Sequence, residues 1–297
     1  MIKIKGNSKI AVIGGDARMI YSAKKLSERG FETAIFGFEN YEGDIGSCTK
    51  CNDINDALKN SFMIILPLPL TADGVTLNMP LSECVITLPS LFALVEKNTL
   101  IFAGNVQDET QSLARKFGLE IIDYFSREEL KIANAVLTAE SALEIAMTET
   151  EQSITENPVL VVGYGRIGKA LCRLLKSVGC QVYASARKSE DKAWIRAFGY
   201  SAVDTGSINS CIKDCRLIFN TVPYMVLDES TLKCVHKDSL IIDLASKPGG
   251  VDFEKAKGEK LRVIWALALP GKKMKISAGK AISDTILTIL DEEDLME

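Results

Sequence analysis

The sequence predicts an α/β protein of two doubly wound parallel-sheet domains joined by one long helix, and three observations predict it. Short, continuously apolar runs recur along the chain, separated by helix-like segments. Twice, at Ile10 and at Val159, such a run ends in glycine and passes at once into a helical pattern. Midway, a capping signal opens a long helical stretch that a proline later closes. Apolar runs too uniform to alternate are strands buried on both faces, and helices between them supply the cover.

In the first half, Lys9-Ile10-Ala11-Val12-Ile13 runs into Gly14-Gly15 and a helical stretch that reaches Gly30. Further strands are expected at 31–36, 62–66, 99–102 and 119–122. Ser126-Arg127-Glu128-Glu129 then has the spacing of a capping box, with Ser126 at the cap and Glu129 three residues on. It opens a helix expected over 127–150, apolar at Leu130, Ala133, Leu137, Leu143 and Ala146. Pro158 ends the segment, because the residue before a proline is pushed out of the helical region. The second half restarts with Val159-Leu160-Val161-Val162, and strands are expected at 181–184, 216–220, 240–243 and 262–265. A last helix over 277–290 follows the final strand and is expected to pack back on the first domain. The domains read as 1–150, a flavodoxin- or Rossmann-like unit ending in the linking helix, and 151–297 with the C-terminal helix.

The 297 residues suffice for two cores, and 47% apolar with 25% charged residues is a globular balance. A net charge of −4 argues against a polyanion partner. Asp291-Glu292-Glu293-Asp294 reads as a solvated acidic tail. No apolar stretch is long enough to span a bilayer. Met1-Ile2-Lys3-Ile4-Lys5 is too densely charged for a signal-peptide core, so the cytoplasm is expected. The eight cysteines are scattered as buried thiols would be, and Cys48 and Cys51 have no second pair to complete a metal site. No metal is expected.

Gly163-Tyr164-Gly165-Arg166-Ile167-Gly168 fits G-x-G-x-x-G between a strand and an amphipathic helix. The first glycine permits the turn, the second lets backbone approach a pyrophosphate, and the third lets helix and strand pack closely. The helix N-terminus then offers free N–H groups to the anion. The C-terminal domain therefore reads as a Rossmann NAD(P)-binding domain. An NAD site places an acid about 20 residues after the glycines to hold the ribose hydroxyls. Here the stretch is Ser185-Ala186-Arg187-Lys188, with no acid before Glu190. Arg187 can grip a 2′-phosphate while Ser185 and Lys188 add donors, so NADP is the expected cofactor. Three more segments fall at expected C-terminal strand ends: Asn220-Thr221-Val222-Pro223, the stretch from Asp243-Leu244-Ala245 to Lys247-Pro248-Gly249-Gly250, and Leu269-Pro270-Gly271-Lys272. Thr221, Val222, Pro223, Leu244 and Ala245 are expected to wall the nicotinamide site. In the first domain, Asp16 and Arg18 follow the glycine turn, and Arg18 is placed either to clamp a substrate carboxylate or to pair with Asp16 or a helix end.

These strings together resemble the family of the A subunit of dipicolinate synthase. Gly14-Gly15-Asp16-Ala17-Arg18 and Asp243-Leu244-Ala245-Ser246-Lys247-Pro248-Gly249-Gly250 carry most of the resemblance, joined by Asn134-Ala135-Val136-Leu137-Thr138-Ala139-Glu140. It covers nearly the whole chain, in order. It implies an enzyme of endospore formation in the mother-cell cytoplasm, working with the smaller, flavoprotein-like B subunit of dipicolinate synthase. The reaction implied is oxidation of dihydrodipicolinate to pyridine-2,6-dicarboxylate with NADP⁺. A more distant likeness is to two-domain 2-hydroxyacid and alanine dehydrogenases. Two departures stand out: Ser141 where the family often has glycine, and Met274-Lys275-Ile276-Ser277-Ala278-Gly279 where a proline-containing loop is usual. Ser277 remains able to cap the last helix.

For such a small dicarboxylate substrate Arg18 is the expected ligand of one carboxylate, and Lys247 or Lys272 of the other. Glu140 or Asp16 is the candidate proton acceptor, with Asn134 and Thr138 as polar groups on one helix face beside Glu140. The single histidine, His236, reads as a surface residue in a helix-to-strand turn, and Trp194 and Trp265 read as packing residues. The competing readings are another NAD(P)-dependent oxidoreductase of amino or oxo acids, a nucleotide-binding regulatory subunit without chemistry, and a homo-oligomer beside either.

Overall fold

The structure is a computed structural model that describes residues 8–293. Asp294 and the Met1–Lys5 segment discussed above lie outside them. The chain divides into two compact units, Met1–Ala133 with Met274–Glu297, and Asn134–Lys273. The division falls at residue 133 rather than 150, and the C-terminal helix groups with the first unit rather than the second.

The first unit carries strands β1 (Lys9–Ile13), β2 (Glu32–Phe36), β3 (Thr49–Lys50), β4 (Met63–Ile65), β5 (Leu100–Ala103) and β6 (Ile121–Asp123). They form one sheet in the order β3-β2-β1-β4-β5-β6, and every pairing is parallel. Helices α1 (Ala17–Glu28), α2 (Ile54–Leu58), α3 (Leu88–Leu94) and α4 (Asp108–Lys116) belong to this unit. The long helix α5 (Glu128–Glu149) begins in it and ends in the second unit. Parallel strands need helical crossovers, which put helices on both faces and explain the continuous apolar runs. One face is covered by α1 and the C-terminal helix α12 (Lys275–Glu292), whose Ile282, Ile286 and Leu290 share a core cluster with Ile20 and Leu26. The opposite face packs Leu88, Leu91 and Phe92 on Ala11, Ile13 and Ile64.

The second unit repeats the order. Its strands are β7 (Val159–Val162), β8 (Val182–Ala186), β9 (Ser201–Asp204), β10 (Leu217–Asn220), β11 (Leu240–Asp243) and β12 (Arg262–Trp265). The sheet runs β12-β11-β10-β7-β8-β9, again parallel throughout. Its helices after α5 are α6 (Arg166–Ser177), α7 (Ser189–Ala197), α8 (Asn209–Ile212), α9 (Glu229–Leu232), α10 (Phe253–Gly258) and α11 (Leu269–Lys273). Counted from its first strand, each sheet has the Rossmann order 3-2-1-4-5-6, with the reversal between its first and fourth strands.

Three local expectations change. Ser126 does not cap α5: it sits in a 3₁₀ turn, Tyr124–Ser126, and its hydroxyl donates to the Asp123 carbonyl at 2.7 Å. Ser277 lies inside α12, which starts two residues earlier after Met274, so it caps nothing. The acidic stretch is not wholly solvated, because both carboxylate oxygens of Glu292 accept from the Arg127 guanidinium at 2.6 and 2.9 Å.

Candidate nucleotide site

Ligands bind open parallel sheets where the strand order reverses, outside the carboxyl ends of the strands. In the second unit that place lies between β7 and β10. Gly163 follows β7 with φ +97°, a conformation side chains rarely adopt, and its N–H donates to the Ser185 hydroxyl at 3.2 Å. A Cβ on Gly168 would lie 2.2 Å from the Gly163 carbonyl, so the third glycine is required for α6 to pack on the turn. A Cβ on Gly165 would meet nothing within 4 Å. Gly165 is also the N-cap of α6 and makes no side-chain cap, which leaves first-turn N–H groups to a ligand.

The turn opens on a cleft of about 600 Å³. Gly163, Gly165, Arg166 and Ile167 form its floor, Arg187 and Lys188 follow β8 at one side, and Thr221, Val222 and Pro223 follow β10 at the other. Both Arg187 and Lys188 are exposed, and among the described residues neither has a carboxylate within ion-pair distance. Sequence reading missed Asp191, Thr205, Tyr224, Met225 and Val226, which also line the cleft. Tyr224 and Met225 simply continue the Thr-Val-Pro segment, a signal that was available. Tyr164 turns inward, where burial pushes its phenol up to about 12 and Lys169 stands 5.6 Å from the ring centroid.

Three predicted cofactor residues are placed differently. Ser185 is fully buried, and its oxygen takes the Gly163 N–H and the Thr205 hydroxyl, the latter at 3.3 Å. It shapes the glycine turn and has no exposed donor for a phosphate. Leu244 and Ala245 are buried at the end of β11 and are not among the lining residues of the cleft.

What Leu244 and Ala245 belong to is a buried polar brace. Asn220 and Asp243 are register partners at the ends of β10 and β11, both with no exposed surface. Asn220 Nδ2 donates to Asp243 Oδ1 at 2.8 Å and to the Val222 carbonyl at 3.0 Å, while Val222 N–H donates back to Asn220 Oδ1 at 3.1 Å. Asp243 also accepts the N–H groups of Ala245 and Gly250, each at 3.0 Å. A Cβ on Gly250 would fall 2.3 Å from Asn220 Nδ2 and 2.4 Å from the Val222 carbonyl. A buried acceptor with three donors is fully satisfied, and it fixes the loop that walls the cleft.

The predicted catalytic residues are distributed as follows. In the first unit Asp16 caps α1, and both its oxygens accept from Arg18 at 2.9 to 3.1 Å. Arg18 Nη2 also donates to the Leu68 carbonyl at 2.5 Å, while its Nη1 makes no hydrogen bond among the described residues. In the second unit Asn134 and Thr138 are half-buried, and the Thr138 hydroxyl donates to the Asn134 carbonyl at 2.7 Å. Glu140 is not beside them. Two residues further on, it is turned about 200° round the helix, and it lines a shallow depression with Glu144, Met147 and Leu174. Lys247 and Lys272 are exposed, Lys272 within α11 rather than on a strand-end loop. His236 lies at the amino end of β11, opposite the strand ends that form the cleft, and its Nδ1 accepts the Asp238 N–H at 3.2 Å. Trp194 is 52% exposed and so is not a packing residue, whereas Trp265 donates its indole N–H to the Ala245 carbonyl at 2.9 Å. Among the described residues no three His, Cys, Asp or Glu side chains are grouped to hold a metal.

Comparison with known proteins gives this site a family. Residues 9–125 match the N-terminal domain of the dipicolinate synthase A subunit, and residues 146–247 match the NAD binding domain of D-isomer specific 2-hydroxyacid dehydrogenases. The A subunit of dipicolinate synthase from Bacillus subtilis is 30% identical, over 96% of each chain. The crystal structure of the Bacillus subtilis dipicolinate synthase A chain superposes with a TM-score of 0.85 at 28% identity, over 98% of this chain and 97% of that one. The corresponding dipicolinate synthase structure from Bacillus halodurans gives 0.86 at 26% identity, over 97% and 99%. The second unit is a nicotinamide-dinucleotide domain of the oxidoreductase type, and no helix among the described residues is long and apolar enough to cross a membrane.

Proposed function

This chain belongs to the family of the dipicolinate synthase A subunit, and from that premise we propose that it oxidises dihydrodipicolinate to pyridine-2,6-dicarboxylate with NADP⁺. The observation that carries the cofactor choice is the end of β8. Arg187 and Lys188 line the cleft where an NAD site would present an acid to the ribose hydroxyls. The pyrophosphate lies on the uncapped N-terminus of α6, and the guanidinium of Arg187 holds the 2′-phosphate. The braced segment Thr221–Val222–Pro223 presents a fixed wall to the nicotinamide. The nicotinamide, when bound, supplies the hydride acceptor. Loss of one hydride and one proton makes the substrate ring aromatic, so the protein's main task is to hold two carboxylates and present the ring.

Arg18 holds one carboxylate through its Nη1 edge, since Asp16 and Leu68 occupy the rest of the fork and fix its direction. Within the second unit, Lys247, in the loop that Asp243 braces, and after it Lys272 are proposed as carboxylate-binding cations. Neither carboxylate considered for the proton is assigned. Asp16 is engaged by Arg18, and Glu140 faces a different depression from the cofactor cleft. The same reading places the enzyme in the mother-cell cytoplasm during sporulation, beside the flavoprotein-like B subunit.

The test is an assay on freshly generated dihydrodipicolinate with NADP⁺, with and without the B subunit. Dipicolinate and NADPH should appear in equal amounts; neither appearing, with cofactor bound, would remove the reaction and leave the nucleotide site. Arg187→Ala should weaken NADP roughly 10–100-fold and spare NAD, the worth of one or two charged hydrogen bonds. Equal losses in a titration of both cofactors would reject the 2′-phosphate role. Arg18→Ala should raise half-saturation for the substrate far more than for the cofactor.

A further inference from the structure

Helix α6 carries four cations, Arg166, Lys169, Arg173 and Lys176, and no acid. Their spacing of three, four and three residues puts them on one exposed face. Cations in the first turn oppose the helix dipole, and neighbouring α7 shows the usual remedy, Glu190 and Asp191 in its own first turn. Among the described residues Lys169, Arg173 and Lys176 have no carboxylate within 4.0 Å. Lys192, Lys233, Lys255 and Lys273 of the same unit have one, whereas Arg187 and Lys188, like Lys169, Arg173 and Lys176, have none among the described residues. These three cations stand together on a chain whose net charge is −4.

Beside the stripe lies an aromatic ridge. Trp194 and Phe198 are 52% and 57% exposed, yet they stack on each other with centroids 5.5 Å apart and planes 19° apart. Phe198 continues to Tyr200 at 6.4 Å. The two features are contiguous. Lys176 Nζ donates to the Gly199 carbonyl at 3.3 Å, and Arg173 stands close enough to Tyr200 to pull against the upward shift that burial gives its phenol. Stacking pre-orders two large rings, so that covering them costs little further side-chain entropy. Exposed Trp194 and Phe198, with Arg173 and half-buried Tyr200 beside them, have the aromatic and arginine composition of interface hot spots, and the neighbouring cations favour an acidic counterpart.

We propose that the ridge of Trp194 and Phe198, flanked by Arg173 and Lys176, is the docking surface for an acidic face of a second subunit, one presenting carboxylates around an apolar socket. This rests on the reading that the chain works beside a second subunit. Trp194, Phe198, Arg173 and Lys176 are not among the residues that line the cofactor cleft.

The experiment uses the full chain and the separately purified second subunit, titrated by calorimetry at two salt concentrations. Two variants are compared with the parent: Trp194→Ala with Phe198→Ala, and Arg173→Glu with Lys176→Glu. The expected result is binding that weakens with salt and falls on the order of tenfold or more in each variant, with melting temperature and NADP affinity unchanged. Parent and variants binding alike, or binding indifferent to salt, would overturn this surface and leave the two-subunit reading standing. A parent chain that does not bind the second subunit would remove that reading, and the surface with it. Self-association of the parent that sedimentation shows to be lost in Trp194→Ala with Phe198→Ala would also overturn it, assigning the ridge to a second copy.

Discussion

The two units present the same architecture at their glycine turns and use it in opposite ways. Both have the strand order 3-2-1-4-5-6, and in both a first strand ends in glycine before a helix. In the first unit the turn is filled by the chain itself. Gly15 N–H donates to the Asn78 carbonyl at 2.8 Å, and a Cβ on Gly14 would lie 2.5 Å from Met79 Cγ. The start of α1 is already answered by the Asp16 carboxylate, which pairs with Arg18. In the second unit Gly163 is packed in the same way, its N–H on the Ser185 hydroxyl and a Cβ 2.5 Å from Thr221 Oγ1, but no side chain caps α6, and a Cβ on Gly165 would meet nothing within 4 Å. A Rossmann topology therefore supplies a place for an anion, and whether one binds is decided by what occupies that place. Asp16 in one unit and Gly165 in the other make that decision.

The sharpest way to break the contrast is Gly168→Ala, which drives a methyl group into the Gly163 carbonyl. Nucleotide binding should fall more than 100-fold and the melting temperature with it; retention of both would mean that helix and turn are not packed as described. Asp243→Ala comes next. It strands buried donors on Asn220, Ala245 and Gly250, which should cost about 3 kcal/mol and loosen the wall loop. Denaturant unfolding reads the stability, and Trp265 fluorescence reads the loop it bonds. Gly165→Ala is smaller and more selective. The chain has room for the methyl group, so stability should hold, while cofactor affinity drops roughly tenfold as backbone and pyrophosphate are held apart. A loss of stability there would show that the turn is not open. The smallest effect is expected at Arg127, an exposed pair on the first unit. Its guanidinium lowers the pKa values of Glu292 and, behind that residue's own backbone bond, Glu129. The contribution is therefore complete above the ordinary carboxylate range and is lost as pH falls through the lowered values. Arg127→Ala should depress the melting temperature slightly at neutral pH, less at high salt, and not at all in acid.

What the sequence made legible follows the range of the interactions. Buried strands such as β7 and β11 were readable because burial on both faces demands unbroken apolar runs. The edge strands β3 and β9 were not, since Thr49-Lys50 and Ser201-Ala202-Val203-Asp204 lack that demand. The glycine turn and the Thr-Val-Pro wall were readable because each is a local backbone requirement. Ser185, Leu244 and Ala245 were not correctly placed, because one residue at a strand end decides between core and cleft. The Asn220–Asp243 brace was hidden for a different reason. The two residues are 23 positions apart and meet only through the register of β10 and β11. The Ser126 cap failed because Asp123 already organises that corner, accepting the N–H groups of Asn105 and Phe125.

The first unit is assembled from both ends of the chain, and this sets an order of events during synthesis. Helix α12 packs on α1, yet 133/134 and 273/274 bracket a whole second unit between them. On the ribosome the second unit can close while Ile20, Ala23 and Leu26 still wait for Ile282, Ile286 and Leu290. Helix α1, made before the whole second unit, is thus covered only after it. A chain stopped before Lys275 should retain nucleotide binding in the second unit and aggregate through the uncovered face of α1, which light scattering during translation of staged truncations would reveal.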